Sequence, residues 1–103
     1  MVYNIKVTDR AEKQIENAIQ YLAVNIKSMQ AANNLMEDIN QAFALLEAFA
    51  ASFSFCEDSY LASKGYRKFA LKKYDYLIIY RVEENTVYLV GFFPVLENYR
   101  EKI

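Results

Sequence analysis

The second half of the chain contains three strand-like segments that follow one another almost without interruption. Tyr66–Leu71, Tyr74–Val82 and Thr86–Phe93 are rich in Tyr, Ile, Val and Phe, residues that favour strands. Only Lys72-Lys73 separates the first two segments, and only Glu83-Glu84-Asn85 separates the second from the third. Connections this short join antiparallel neighbours, since a parallel pair needs a crossover of about a dozen residues. These segments therefore predict an antiparallel sheet.

The first half of the chain predicts one further strand and then two amphipathic helices. Apolar and polar residues alternate from Val2 to Val7, as they do in a strand with one buried face. Thr8-Asp9 is typical of a helix start, and an apolar stripe with steps of three and four residues follows from Ala11 to Ile26. Ser28 is placed to cap a second helix, whose stripe runs from Met29 to Leu46. The short connection predicts an antiparallel helical hairpin.

These elements give the order β-α-α-β-β-β in a single domain that spans residues 1–103. The predicted class is α+β, with an antiparallel sheet packed on the N-terminal helical hairpin. Residues 50–64 lack a clear period and are predicted to form a loop. Leu77 and Ile79 lie on the strand side opposite Ile78, and both sides are apolar. We expect one sheet face to pack on the helices and the other to receive a partner.

Composition excludes several classes of active site. The chain contains no histidine, which excludes His-dependent catalytic triads and His-ligated zinc. Cys56 is the single cysteine, so no intramolecular disulfide forms and a reducing cytoplasm suits the chain. The acidic residues are scattered over helix faces, and no metal or other cofactor is predicted. No apolar run is long enough to span a bilayer, and no membrane association is expected.

Charge is distributed unevenly along the chain. Residues 1–63 contain four Lys and Arg against eight Asp and Glu, whereas residues 64–103 contain eight against five. A modestly basic strand region on an acidic helical region fits a site for an anionic partner.

Several short segments carry a resemblance that extends over essentially the whole chain. They are the helix opening Thr8-Asp9-Arg10-Ala11, the strand start Gly65-Tyr66-Arg67-Lys68, the central strand Leu77–Val82 and the closing Asn98-Tyr99. In this order and spacing the chain resembles the RelE/ParE superfamily of bacterial toxins. The resemblance implies a growth-inhibiting toxin of a type II toxin–antitoxin pair, whose cognate antitoxin covers apolar surface of the toxin.

The superfamily includes ribosome-dependent mRNA endonucleases, which are RelE-like, and gyrase inhibitors, which are ParE-like. RelE-like members carry two lysines on the first strand after the helices, and Lys68 and Ala70 occupy these positions here. The position of their central-strand arginine is Leu77, and Pro94–Glu97 replaces a basic cluster. RNA cleavage needs cations or donors to stabilise the phosphorane charge, and the loss of one typically costs about 10²–10³ in rate. The resemblance therefore favours a ParE-like toxin that binds its target.

Three functions remain open from the sequence: a ParE-like toxin directed at DNA gyrase, a RelE-like endoribonuclease directed at ribosome-bound mRNA, and a decayed toxin that only binds its antitoxin. Whether the chain is an enzyme is left open. The candidate catalytic residues are Lys68, Arg81, Tyr99 and Arg100. The candidate partner-binding residues are Leu77, Ile79, Arg67 and Phe93.

Overall fold

The structure is a computed structural model that describes residues 2–95. Strand β1 (Asn4–Val7) precedes helix α1 (Asp9–Gln20), which continues through one π-helical turn (Tyr21–Asn25). Helix α2 (Met29–Phe49) follows and ends in a 3₁₀ turn (Ala50–Ser52). A short helix α3 (Ser59–Ser63) leads into the strands β2 (Tyr66–Ala70), β3 (Tyr76–Glu83) and β4 (Thr86–Pro94). None of the helices in residues 2–95 combines the length and the apolar character needed to cross a lipid bilayer.

The four strands form one sheet in the order β1-β4-β3-β2. Strands β2, β3 and β4 pair antiparallel, as their short connections predict. The α+β class and the helical hairpin are confirmed. The sheet is mixed rather than fully antiparallel, because β1 pairs parallel to β4. The long helical crossover carries the chain from β1 to the far edge, and two hairpins then bring β4 back beside it.

Side chains at the helix starts define where the helices begin. The Thr8 hydroxyl accepts a hydrogen bond from the backbone N–H of Ala11 at 3.2 Å, and the Ser28 hydroxyl accepts one from Ala31 at 3.0 Å. Both caps occupy the predicted positions and satisfy backbone donors that a helix start leaves unpaired. The α3 helix, which lies within the segment predicted as a loop, begins in the same way at Asp58.

A β-bulge between β3 and β4 changes which β4 side chains face the helices. Ile79 pairs with Gly91 whereas the next residue, Tyr80, pairs with Leu89, so Val90 is the extra residue. Leu89 and Phe92 consequently both join the core under the helices although they are three residues apart. A bulge inserts one residue and reverses the alternation beyond it.

The main core lies between the helical hairpin and one face of the sheet. Ile78 and Tyr80 from β3 and Leu89 from β4 are fully buried there. The Tyr80 hydroxyl donates a hydrogen bond to the carbonyl of Ala50 at 2.7 Å, which joins the end of α2 to the central strand. Burial is the largest cause that raises the pKa of the Tyr80 phenol far above its ordinary value.

Asp38 joins α2 to the connection between β2 and β3. The residue is 2% exposed, and its Oδ2 atom accepts hydrogen bonds from the backbone N–H groups of Lys73 at 3.0 Å and Tyr74 at 3.1 Å. The Tyr74 hydroxyl donates in turn to the carbonyl of Ala31 at 3.2 Å. A buried carboxylate is tolerated when its oxygens accept such hydrogen bonds. The contact therefore attaches the β2–β3 hairpin to helix α2.

Replacing Asp38 tests this attachment. We expect Asp38→Ala to lower the free energy of unfolding by about 2–4 kcal/mol, because two backbone donors lose a charged acceptor. Chemical denaturation measured by circular dichroism checks the value. Asp75→Ala, at an exposed position of the same connection, is the control and should change stability by less than about 0.5 kcal/mol. Equal effects of the two substitutions would contradict the proposed attachment.

Candidate functional site

The sheet face opposite the main core carries most of the residues that the sequence singles out. Leu77, Ile79 and Arg81 alternate along β3 with the side chains that face the helices. Lys68 of β2 pairs with Ile79 of β3, and Phe93 of β4 pairs with Leu77 of β3. The structure therefore brings these five residues to one face, which we call the outer face. Tyr99 and Arg100 lie outside the described residues.

Arg67 is separated from this group. It pairs with Tyr80, whose side chain lies in the main core. Its Nη1 atom donates to the carbonyl of Phe53 at 2.5 Å, and its guanidinium lies 3.9 Å from the centroid of the Phe55 ring. These contacts attach the segment before α3 to strand β2 at the edge of the sheet.

A second core covers the centre of the outer face. Ile79 and Phe93 are 0% and 1% exposed, and they cluster with Cys56 and Leu61. The second sheet face, which we expected to be free for a partner, is therefore covered at its centre, because α3 and the segment before it lie over Ile79 and Phe93. Leu77 packs at the border of this cluster and remains partly exposed. Direct contact of a partner with Ile79 or Phe93 would require this cover to move.

Backbone hydrogen bonds hold the cover in place. The N–H of Cys56 donates to the carbonyl of Tyr66 at 3.0 Å, and the N–H of Lys68 donates to the carbonyl of Ser54 at 3.1 Å. Phe55 and Arg67 thus form an isolated antiparallel bridge, which satisfies two backbone groups on the free edge of β2. After α3, Gly65 adopts a φ of 86°, a left-handed conformation that glycine adopts without strain and that turns the chain into β2.

Gly91 allows the second core to close. The ring of Phe93 lies directly over the Cα of Gly91, and a Cβ at position 91 would overlap with the ring. The absence of a side chain at this position of β4 therefore lets Phe93 pack flat against the sheet beside Ile79.

Two candidate catalytic cations form partly exposed ion pairs with carboxylates. Lys68 Nζ lies 2.6 Å from Glu57 Oε1, and this contact lowers the pKa of the Glu57 carboxyl. Arg81 Nη1 lies 3.2 Å from Glu83 Oε2, and the Arg81 guanidinium lies 5.3 Å from the Tyr88 ring centroid. A phosphate at either cation would compete with the carboxylate already present, which weakens the electrostatic stabilisation that each cation can provide.

A small hollow lies beside the second core. Its volume is about 370 Å³, and it is lined by Arg81, Tyr66 and three residues of or next to α3, namely Tyr60, Leu61 and Lys64. Lys64 Nζ lies 5.7 Å from the Tyr60 ring centroid. Two cations, Lys64 and Arg81, therefore line the hollow, and an anion bound there would compete with Glu83 for Arg81. Sequence reasoning missed Tyr60 and Lys64, although Asp58 as a cap and Gly65 as a terminator signal the helix that positions them.

No group of three Cys, Asp or Glu side chains in residues 2–95 is placed to hold a metal ion.

Comparison with known proteins places the chain in a family. Residues 5–99 match the family model described as the ParE toxin of the type II toxin–antitoxin system parDE. The chain belongs to the ParE toxin family. The ParE-family fold is also seen in a solved structure titled "Chromosomal ParDE TA system from P. aeruginosa", with a TM-score of 0.73. That protein is 18% identical, and the match covers 91% of this chain and 97% of that one. A search of curated protein sequences gives no significant match.

The second core of this ParE-family protein can be tested by truncating its cover. We expect Leu61→Ala to lower the free energy of unfolding by about 2–5 kcal/mol, because the side chain is 1% exposed and its removal leaves a cavity. Tyr60→Ala, at a neighbour that is 57% exposed, should cost less than about 1 kcal/mol. Urea denaturation measures both. A negligible loss for Leu61→Ala would mean that α3 does not seal the outer face.

Proposed function

We propose that this ParE-family chain is the growth-inhibiting toxin of a type II pair, that it acts in the cytoplasm by binding DNA gyrase, and that a cognate antitoxin neutralises it. The match to the ParE toxin family over residues 5–99 carries the proposal. The chemistry of the outer face supports a binding mechanism over RNA cleavage.

Three apolar residues form one row across the outer face, and this row includes the two positions at which RelE-like toxins carry cations. Ala70 of β2 pairs with Leu77 of β3, and Leu77 pairs with Phe93 of β4. By the resemblance to RelE-like toxins, Ala70 and Leu77 occupy the positions of a lysine and an arginine. Two cations that an RNA-cutting relative uses are thus replaced within a single row. Each such loss typically costs about 10²–10³ in rate, which makes efficient phosphodiester cleavage at this row implausible.

A RelE-like endoribonuclease is the second candidate. The hollow between Arg81 and Lys64 favours it, because it presents two cations to an anion beside the phenol of Tyr66. In that case Arg81 would contact the phosphate, and cleavage of ribosome-bound mRNA would depend on it.

The two functions predict different results when the chain is expressed without its antitoxin. We expect growth arrest with intact transcripts and with loss of gyrase supercoiling activity. We also expect Arg81→Ala to inhibit growth within about 3-fold of the wild type, since a toxin that acts by binding its target needs no cation at position 81 to stabilise a cleaved phosphate. Cell counts, transcript mapping and a supercoiling assay on the same cultures are the measurements. Lys72→Ala, at an exposed residue of the β2–β3 connection, is the matched control.

Each alternative has its own signature in this experiment. Cleaved transcripts that become intact in Arg81→Ala, with a loss of toxicity of about 10²-fold or more, would establish the endoribonuclease. Tight binding to the antitoxin without any effect on growth would establish a chain that only binds its antitoxin.

A further inference from the structure

The cover of the outer face, residues 54–64, is attached through few buried side chains. In this segment, which the structure describes throughout, only Cys56 and Leu61 are buried, and seven residues are exposed. Helices α1 and α2, which cover the other face of the sheet, bury side chains from Ala11 to Ala18 and from Ala32 to Leu46. A segment with few buried contacts of its own opens at a lower free energy than the whole molecule unfolds. The cover is therefore the weaker of the two attachments.

The chain is anchored to the sheet on both sides of the cover. Before it, the Phe53 ring packs edge-to-face on Phe69 of β2 at a centroid distance of 4.8 Å, and the carbonyl of Phe53 accepts a hydrogen bond from Arg67. After it, Tyr66 begins β2 and pairs with Arg81 of β3. A movement of the cover is confined between these anchors, so the backbone must change conformation at positions 54 and 65.

Gly65 is suited to this change of conformation. Its φ of 86° lies in the left-handed region, which glycine enters and leaves without the steric penalty that other residues meet. A Cβ at position 65 would lie 3.9 Å from Cγ of Arg81, which is an ordinary van der Waals contact. Alanine at this position would therefore strain the backbone of the closed cover without causing a clash.

The polar contacts between the cover and β2 lie at the edge of the sheet, where water can replace them. Backbone hydrogen bonds of 3.0 and 3.1 Å join Cys56 and Ser54 to β2. The Lys68–Glu57 ion pair is 2.6 Å long, and the Glu57 side chain is 85% exposed. An ion pair with such an exposed partner contributes little to stability. These contacts hold the cover closed without preventing it from opening.

We propose that residues 54–64 open as a hinged unit about Ser54 and Gly65 while the helical hairpin and the sheet stay folded. Opening uncovers Ile79 and Phe93 beside Leu77, which borders the second core and is already partly exposed. The outer face thus alternates between a closed state with a sealed centre and an open state with a continuous apolar surface. The inference goes beyond the proposed function and does not depend on it, since it concerns a movement of the chain alone.

The rate at which a thiol reagent labels Cys56 measures this opening, because the side chain is 3% exposed when the cover is closed. In the native wild type we expect labelling to be at least about 10-fold faster than the equilibrium constant of global unfolding allows. The rate should also depend less on urea than global unfolding does, since opening of the cover exposes less surface. Urea denaturation followed by circular dichroism supplies the global unfolding constant.

Asp38→Ala separates local opening from global unfolding. Asp38 attaches α2 to the β2–β3 connection and belongs to the helical side of the sheet. Its replacement should raise the global unfolding constant about 30- to 700-fold, yet it should leave the labelling rate of Cys56 within about 2-fold of the wild type.

Substitutions at the hinge and at the ion pair should act in the opposite way. Gly65→Ala should speed labelling about 5- to 30-fold, because only the closed cover forces position 65 into a left-handed conformation. Glu57→Gln should speed labelling about 1.5- to 5-fold at low salt, and the difference should shrink as salt is raised. Glu47→Gln, at an exposed carboxylate of α2, is the matched control and should label at the wild-type rate.

The outcomes decide between a hinged cover and a rigid one. Labelling that accelerates in Asp38→Ala by the full increase of its global unfolding constant would overturn the proposal, because Cys56 would then be reached only in the unfolded chain. A wild-type labelling rate in a folded Gly65→Ala variant would overturn the hinge. If Gly65→Ala does not fold, the comparison of Asp38→Ala with the wild type decides alone.

Discussion

The structure depends on burying the central strand β3 on both of its faces. Ile78 and Tyr80 enter the core beneath the helical hairpin, and Ile79 between them enters the second core on the opposite side. All three side chains are fully buried. A strand with two apolar faces needs two covers, because either face left in water would forfeit the burial that stabilises the sheet. The helical hairpin covers one face of β3, and α3 with the segment around Cys56 covers the other.

Much of this arrangement can be predicted from sequence, and the exceptions have physical causes. Periodicity and capping residues predict α1, α2 and the three consecutive strands, since these signals are local. The parallel pairing of β1 with β4 depends on the whole crossover, which no local pattern encodes. The bulge at Val90 also leaves no signal in the sequence, because residues Leu89 to Phe93 are apolar throughout and show no alternation that a bulge could interrupt. Helix α3 is too short, at five residues, to show a helical period.

The same reasons explain what the sequence predicts of the candidate site. Alternation along β3 predicts that Leu77, Ile79 and Arg81 share one face, and the pairing of Lys68 and Phe93 adds them to it. Sequence cannot reveal that Ile79 and Phe93 are sealed, because the cover comes from a segment with no period of its own. Nor does it reveal the carboxylates beside Lys68 and Arg81, which lie close only in the folded chain. These ion pairs reduce the electrostatic stabilisation that Lys68 and Arg81 could give to a phosphate.

The most direct test of the doubly covered sheet uses the single cysteine as a reporter. Cys56 is 3% exposed and belongs to the second core. If the cover is closed, a thiol reagent added to the native protein should label Cys56 at least about 100-fold more slowly than it labels the protein in denaturant, because labelling must wait for the cover to open. Labelling of the native protein at the rate seen in denaturant, with its circular dichroism unchanged, would show that the outer face is open and would contradict the account.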